Sequence, residues 1–305
     1  MFPRIVLLVL GVFACSTAVI MIKASQTHWA ELSSYRLLVA AAALAPIYWR
    51  DLRRHRAAYT AGHLRGAVLP GLLLGLHFFT WVVGARLTLA ANASLIVNMV
   101  PIVMPFLLLA LTRERLTRGE IGGTALAIGG TALLTASDAR LSGQFMQGDL
   151  VCFGSMVLYA AYLAFGRKNR HYPTVWLYLV PVYLVGGVFC LAVSLVLTSP
   201  LHAYPPKEVL LILGLGIVPT VIGHSIINYT MRHLRGQVVA IANLGQFIFA
   251  GAMDWALNGK VPSWALYVSA AAVVGGAVLA IFRAPRERAE KEAQIEGEIG
   301  ASGSV

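Results

Sequence analysis

Long apolar runs separated by short charged gaps constrain the fold of this chain more than any other feature. A helix needs about 20 largely apolar residues to cross the hydrocarbon core of a bilayer. Runs of about this length cover residues 5–23, 30–49, 66–86, 89–111, 119–136, 149–166, 175–198, 208–231, 236–258 and 263–282. The sequence predicts an all-α membrane protein with ten transmembrane helices, and tight turns leave nine or eleven as alternatives. Charged residues make up 12% of the chain, whereas soluble domains carry about 25%, which excludes an ordinary soluble protein.

The first run has features of a signal peptide, because Arg4 precedes it. A cleaved signal contains an apolar region of about 7–15 residues. Here the apolar stretch continues through Ile22 to Lys23. We therefore expect a retained helix.

Basic residues are unevenly distributed between the gaps, and this predicts the orientation. Alternate gaps together with the two ends carry 18 of the 24 Lys and Arg residues, and Arg36 lies within a run. The remaining gaps carry Lys23, Arg86, Arg140, Lys207 and Lys260. Short cytoplasmic loops concentrate Lys and Arg, so we expect a cytoplasmic (inner) membrane protein with both termini in the cytoplasm. The net charge of +11 then reflects orientation, and no nucleic-acid partner is expected.

An internal repeat emerges when the chain is shifted by 146 residues. Gly129-Gly130 then falls on Gly275-Gly276, and Arg86 on Arg232. We expect a first five-helix repeat over 1–147, a second over 148–282, and a charged, disordered cytoplasmic tail over 283–305. Because five is odd, the repeats cross the membrane in opposite senses. Such inverted-topology repeats are typical of transporters that bind substrate near the midplane, between the repeats.

Several short motifs, taken in order, resemble a known family. In the first repeat, Pro101 interrupts an apolar helix that begins near Ala91-Asn92-Ala93-Ser94, and Arg113-Glu114-Arg115-Leu116 follows it. In the second repeat, Pro219-Thr220-Val221-Ile222-Gly223-His224-Ser225 precedes Asn228-Tyr229. Over roughly residues 5–282 the chain resembles the EamA-type branch of the drug/metabolite transporter superfamily. The resemblance implies ten helices in two inverted halves and the carriage of small metabolites, often amino acids or their derivatives and frequently outward.

Two positions depart from that family pattern. Phe247 stands where the pattern carries a proline, and Lys260 stands where it carries an acidic residue. We therefore expect the ninth helix to be less kinked than in the family.

Polar residues inside membrane helices are costly and mark cavities, partners or the bundle interior. His77, Asn98, Tyr159 and Gln246 fall near the centres of their runs, and His224 about one turn away. The alternative interpretation is a hydrogen bond between helices, worth about 0.6–2 kcal/mol. The predicted substrate-binding residues are His77, Trp81, Asn98, Tyr159, Tyr162, His224, Asn228, Asn243 and Gln246.

Charged residues and prolines give the predicted coupling, gating and hinge positions. Asp254 is a carboxylate well inside a run, and is expected either to bind a proton or cation or to pair with Lys23 or Arg36. Arg36, Glu31 and Lys23 form a candidate outer gate, or Arg36 reaches to the interface. Pro101 and Pro219 are candidate hinges, because proline removes a helical hydrogen bond.

These features favour a secondary active transporter of small polar metabolites, expected to be amino acids or derivatives exported by alternating access. A passive channel or a lipid flippase is the main alternative, and an intramembrane enzyme a remote one. The sequence holds no HExxH, GxSxG or Walker A motif, and we expect no enzymatic activity. Cys15, Cys152 and Cys190 lie inside apolar runs without metal-ligand spacing, so we expect no cofactor or metal. The expected partners are a small-molecule substrate and membrane lipid, and the oligomeric state is left open.

Overall fold

The computed structural model describes residues 2–137, 143–259 and 261–283. Arg140, Lys260 and the predicted tail beyond Arg283 lie outside the described residues. Within the described ranges the chain forms thirteen α-helices and one π-helical segment, Gly216–His224. The α-helices are α1 Phe2–Ala24, α2 Trp29–Arg54, α3 Ala61–Leu87, α4 Ala90–Val97, α5 Val100–Thr112, α6 Arg118–Ser137, α7 Gly143–Lys168, α8 Val175–Leu197, α9 Pro206–Leu215, α10 Ser225–His233, α11 Gly236–Leu244, α12 Gln246–Asn258 and α13 Trp264–Arg283.

Nine helical stretches of the described chain are long and apolar enough to cross a membrane. They are Phe2–Ala24, Trp29–Arg54, Ala61–Leu87, Asn92–Thr112, Phe145–Lys168, Val175–Leu197, Pro206–His233, Gly236–Asn258 and Trp264–Phe282. The predicted all-α, multi-pass membrane architecture is therefore confirmed. The predicted run 119–136 corresponds to α6, which is not among the nine.

The fourth predicted span is broken where α4 meets α5, at Asn98 and Met99. Pro101 has no N–H, so the carbonyl of Val97, four residues earlier, loses its usual helical donor. The amides of Asn98 and Met99 bond to carbonyls only three residues back, at 3.2 and 3.1 Å. The backbone is therefore wound more tightly at the break than in an α-helix, and Asn98 lies at the centre of the break.

The ninth predicted span is also broken, between Leu244 and Gln246, although Phe247 stands where the family pattern carries a proline. At Gly245 the backbone stays in the right-handed region, with φ −62° and ψ −3°, but ψ departs from the α-helical value of about −42°. The Gly245 amide bonds to the carbonyl of Ala242 at 3.0 Å, three residues back. A tight turn thus forms at glycine without a proline.

The eighth predicted span widens around Pro219. Because Pro219 has no N–H, the carbonyl of Leu215 loses its usual helical donor. The Thr220 hydroxyl donates to that carbonyl at 2.7 Å, and the helix continues as the π-helical segment. Pro219 therefore changes the winding of the helix without ending it.

The bounds of several helices recur after 146 residues. Ala90 and Gly236 begin α4 and α11, Val100 and Gln246 begin α5 and α12, and Arg118 and Trp264 begin α6 and α13. The ends of α5 and α12 match too, since both are capped by residues with positive φ, Arg113 at 56° and Gly259 at 67°. The shift found in the sequence is thus also present in the secondary structure.

Glycines let helices approach closely in the core. A Cβ atom at Gly123 on α6 would collide with the backbone carbonyl of Gly276 on α13, and one at Gly276 with the carbonyl of Gly123. Gly71 on α3 also lies close to α8, where a Cβ would come within 2.9 Å of the Val182 carbonyl oxygen. The three cysteines are buried and free, and they pack among these helices.

Candidate functional site

A small central cavity lies where α4 meets α5 and where α11 meets α12. Helices from both ends of the chain contribute to it. Its walls are formed by Cys15, Ala18, Arg36, His77, Phe78, Trp81, Val97, Asn98, Tyr159, His224 and Gln246. About 20 Å³ is left for the centres of water-sized molecules, which is room for about one water. The cavity is therefore too small to hold an amino acid.

Arg36 is the charged group of this cavity. Its side chain is buried, and its Nε donates to the hydroxyl of Thr220 at 2.7 Å. The guanidinium carbon lies 3.8 Å from the centre of the Phe78 ring, a cation–π contact. Among the described residues, Nη1 has no hydrogen-bond partner and no carboxylate forms an ion pair with Arg36. A buried cation without a counter-ion is costly, so this group is suited to bind an anion.

Aromatic and imidazole rings form one wall. His77 stacks on Tyr159 with ring centres 4.7 Å apart and planes 15° apart. His77 Nδ1 lies 2.9 Å from the Ser155 hydroxyl, which donates to the His77 carbonyl. The ring of His224 lies 5.5 Å from that of Tyr159, and its Nδ1 has no hydrogen-bond partner within the described chain. This wall offers flat apolar faces together with polar edges.

Three side-chain amides connect the two helix breaks. Asn243 donates through Nδ2 to Asn98 Oδ1 at 2.9 Å, and Gln246 donates through Nε2 to Asn243 Oδ1 at 2.7 Å. Asn98 in turn donates to the Ser94 carbonyl at 2.7 Å. The amides thus hold α4 against α11 and α12, while Asn98 and Gln246 still face the cavity.

The structure brings together six of the nine residues predicted to bind substrate. His77, Trp81, Asn98, Tyr159, His224 and Gln246 line the cavity. Tyr162, Asn228 and Asn243 lie one layer outside it. Asn228 donates to the Tyr162 hydroxyl at 2.7 Å, and Tyr162 lies against Tyr159 with ring centres 6.2 Å apart.

The predicted outer gate of Lys23, Glu31 and Arg36 is not assembled as one cluster. Glu31 accepts a hydrogen bond from the Tyr204 hydroxyl at 2.8 Å, and Lys23 donates to the Thr88 carbonyl at 2.8 Å. Glu31 and Arg36 are five residues apart on α2, which places them about 140° apart around the helix. As a correction, the structure places Arg36 in the central cavity.

Asp254 and Pro101 occupy other positions. Asp254 is half-buried on α12 and accepts a hydrogen bond from the Asn258 amide. Pro101 lies at the start of α5, where its carbonyl accepts from Gln237 Nε2 at 3.1 Å. Neither lines the central cavity.

Sequence reasoning missed several cavity residues. Cys15, Ala18, Phe78 and Val97 line the cavity, and nothing in their apolar character distinguished them from packing residues. Thr220 was also missed as the partner of Arg36. Its position directly after Pro219 was the available signal, because a hydroxyl there can replace the missing N–H.

Ion pairs join distant parts of the chain at the end where the basic residues cluster. Arg167 on α7 pairs with Glu114 at 2.8 Å, and it also donates to the carbonyls of Met231 and Leu234. Arg235 pairs with Glu120, whose side chain is fully buried. These contacts close the bundle at that end.

Comparison with known proteins gives a consistent match. The model of the EamA-like transporter family matches residues 3–136 and again residues 146–282. The aromatic amino acid exporter YddG of Ancylobacter novellus is 26% identical over 227 residues, which cover 71% of this chain and 75% of that protein. A solved crystal structure superposes with a TM-score of 0.73 and 18% identity, over 93% of this chain and 99% of the other, and it supports the fold alone.

Proposed function

The chain belongs to the EamA-like transporter family, and we propose that it is a secondary active exporter of amino acids or related small carboxylates. It is accordingly a transporter, and its substrate is a small molecule. The observation that carries the substrate proposal is Arg36, a buried cation in the central cavity whose Nη1 has no partner among the described residues.

Arg36 is proposed to bind the carboxylate of the substrate. An arginine fork matches a carboxylate geometrically and can bind it through two hydrogen bonds. Nε is already held by Thr220 at 2.7 Å, which fixes the direction of the guanidinium. The Nη1 atom is then available for the substrate.

Aromatic walls are proposed to hold the substrate side chain. Phe78, Trp81 and Tyr159 line the cavity beside Arg36. Flat rings pack against aromatic side chains in offset or edge-to-face geometry. The name of the Ancylobacter relative, an aromatic amino acid exporter, agrees with this choice. Gln246 and Asn98 supply amide groups for the remaining polar atoms of the substrate.

Ten membrane spans in two inverted five-helix repeats, 1–147 and 148–282, are the proposed architecture. The two matches to the family model and the recurrence of helix bounds after 146 residues support two copies. We assign α6 as the tenth span, because its 20 residues reach about 30 Å at 1.5 Å per residue and it packs along α13. Because five is an odd number of spans, the two copies would then cross the membrane in opposite directions. The uneven distribution of basic residues supports the proposal that both termini lie in the cytoplasm. The inner membrane is the proposed location.

Alternating access is the proposed mechanism. The cavity of about 20 Å³ is far smaller than ligand pockets of about 300–1,000 Å³, so helices must separate for a substrate to enter. The break at Asn98, next to Pro101, and the π-helical segment around Pro219 are proposed hinges. The pairs Glu114–Arg167 and Glu120–Arg235 are proposed to open when the cavity faces the cytoplasm.

Asp254 is the proposed site of ion coupling, because it is a carboxylate within the membrane-spanning stretch Gly236–Asn258, where ionisable residues are rare and often functional. The competing interpretation is a structural contact. Asp254→Asn distinguishes the two: a coupling residue is needed for transport driven by a proton gradient but not for exchange of substrate at equal pH. Loss of both activities with a lowered melting temperature would indicate a structural role.

Counterflow in proteoliposomes tests the proposed function. Vesicles holding the purified chain are loaded with an unlabelled amino acid, and uptake of the same labelled compound is followed. We expect uptake with one or more amino acids, aromatic ones first. Uptake no greater than in protein-free vesicles for every amino acid and organic acid would contradict the proposal.

A further inference from the structure

A second cavity lies at the end of the bundle where the basic residues cluster. Its volume is about 480 Å³, far larger than that of the central cavity. Its walls come from the end of α2, the start of α8 and the end of α10. They are formed by Arg50, Asp51, Arg54, His55, Pro173, Thr174, Val175, Trp176, Tyr229, Arg232 and His233.

The charge of this cavity is positive. Arg50, Arg54 and Arg232 line it, and Asp51 is the single carboxylate among its lining residues. Asp51 is already paired with Arg50 at 2.9 Å. Arg232 donates one hydrogen bond, from Nη2 to the Tyr172 carbonyl at 2.6 Å. Arg54 and Arg232 therefore give the cavity positive charge beyond what its one lining carboxylate, Asp51, can balance.

The first turn of α8 adds to this positive field. Thr174 caps the helix through a hydrogen bond from the Leu177 amide at 3.3 Å. The amides of Val175 and Trp176, in the first helical turn, have no acceptor within the helix. A helix start carries a partial positive charge and its amides favour anions such as phosphate.

The position of the cavity along the bundle axis indicates which kind of anion it would meet. α2 and α10 end here and α8 begins here, so the cavity lies where helices leave the membrane. The half-buried Trp176 and Tyr229 line it, and Trp49, beside Arg50, is 57% exposed. Trp and Tyr at such positions are typical of the lipid headgroup region.

We propose that this cavity binds the phosphate headgroup of an anionic phospholipid, with Arg54 and Arg232 contacting the phosphate. Basic pockets between membrane helices bind such headgroups. The site is separate from the central cavity, and it does not depend on which solute that cavity carries. A bound headgroup would hold the ends of α2, α8 and α10 together.

Native mass spectrometry of the full chain in detergent tests the site, with phosphatidylglycerol or phosphatidylcholine added at increasing concentration. We expect phosphatidylglycerol to bind and phosphatidylcholine to bind far more weakly. Arg54→Gln should weaken phosphatidylglycerol binding about fivefold, and the double variant Arg54→Gln/Arg232→Gln about 25-fold, since each basic group contributes about a factor of five. The exposed Arg54 side chain makes the single variant safe for folding.

The matched control is Arg53→Gln/Arg56→Gln, which also removes two positive charges, both at or just after the end of α2 and outside the lining of the cavity. It should leave binding within about twofold of the parent chain. Equal losses in the two double variants would overturn the site, as would unchanged binding in Arg54→Gln. Competition by inorganic phosphate at the same concentration as the lipid would overturn the assignment to a lipid and indicate a site for a free anion.

Discussion

Arg36 Nε donates to the Thr220 hydroxyl at 2.7 Å, and the same hydroxyl donates to the Leu215 carbonyl at 2.7 Å. That carbonyl is the group left without a helical donor by Pro219. The proline that widens the helix thus also positions the hydroxyl that orients the buried guanidinium. A residue proposed as a hinge and a residue proposed to bind substrate are therefore connected through one side chain.

Arg36→Met should raise the stability of the substrate-free protein. Replacing buried charged groups with apolar residues is often neutral or stabilising by about 1–4 kcal/mol, and Arg36 has no carboxylate partner among the described residues. The melting temperature in detergent measures this. Arg167→Met is the matched control, because it removes the ion-pair partner of Glu114, whose side chain is 11% exposed, and it should lower the melting temperature. A lower melting temperature for Arg36→Met would show that Arg36 is a structural cation.

Thr220→Val should weaken substrate binding without unfolding the protein. The change keeps the shape but removes the hydroxyl that holds Arg36. A hydrogen bond to a charged group is worth about 1.5–3 kcal/mol, so we expect a KM for counterflow raised at least about tenfold.

Thr230→Val is the control for this substitution. Thr230 is equally buried, and its hydroxyl bonds to the Ile227 carbonyl on its own helix at 2.8 Å. The KM of the Thr230→Val variant for counterflow should stay within about twofold of the KM of the parent chain. An equal change of KM in Thr220→Val and Thr230→Val would contradict the proposal that Thr220 orients Arg36 for substrate binding.

Glu114→Gln/Glu120→Gln should open the central cavity towards the end that the ion pairs close. Both carboxylates pair with arginines from the C-terminal part of the chain. Cys15 lines the central cavity, and it can report access once Cys152 and Cys190 are replaced by Ala. We expect labelling of Cys15 by a water-soluble maleimide to accelerate at least about tenfold.

Asp51→Asn is the control for gate opening. It removes a carboxylate from the same end of the bundle, but its partner Arg50 is the preceding residue on α2. Labelling of Cys15 should not accelerate in this variant. Acceleration there, or none in Glu114→Gln/Glu120→Gln, would refute the gating role of the two ion pairs.

Gly123→Ala should destabilise the protein, because its Cβ would collide with the backbone of Gly276 on α13. Overpacking of this kind costs about 1–3 kcal/mol. Gly129 lies on the same helix with nothing within 4 Å of its Cβ position, so Gly129→Ala should leave stability unchanged or raise it by up to about 1 kcal/mol. Melting temperatures compare the two variants, and equal values would contradict close packing of α6 on α13.

Hydrophobic runs were sufficient to predict the nine stretches of the described chain that are long and apolar enough to cross a membrane. The 146-residue shift found in the sequence recurs in the helix bounds. Depth within a run also identified His77, Asn98, Tyr159 and Gln246 as cavity residues. Helical periodicity gives the face on which a residue lies, but not how far that face is from the bundle axis. For this reason Tyr162, Asn228 and Asn243 were predicted at the cavity, although they lie one layer outside it.

The break at Gly245 and the place of Arg36 could not be predicted for different reasons. The family pattern ties the second break to a proline, whereas here the tight turn forms at Gly245. From its distance along the run, Arg36 was predicted to belong to an outer gate with Glu31 and Lys23 or to reach to the membrane interface. In the structure, α8 and the π-helical segment pack against α2. Arg36 is therefore buried, although it lies close to the start of that helix.

The most direct test of the account is counterflow of labelled phenylalanine in proteoliposomes, competed by phenylalanine or by phenethylamine, which lacks the carboxylate. For the parent chain we predict that phenylalanine competes and phenethylamine is at least about 100-fold weaker, since losing the partner of a buried charge costs about 2–5 kcal/mol. We further predict that Arg36→Met, although folded, transports no more than protein-free vesicles. Equal competition by the two compounds, or normal transport by Arg36→Met, would contradict the claim that Arg36 binds the substrate carboxylate.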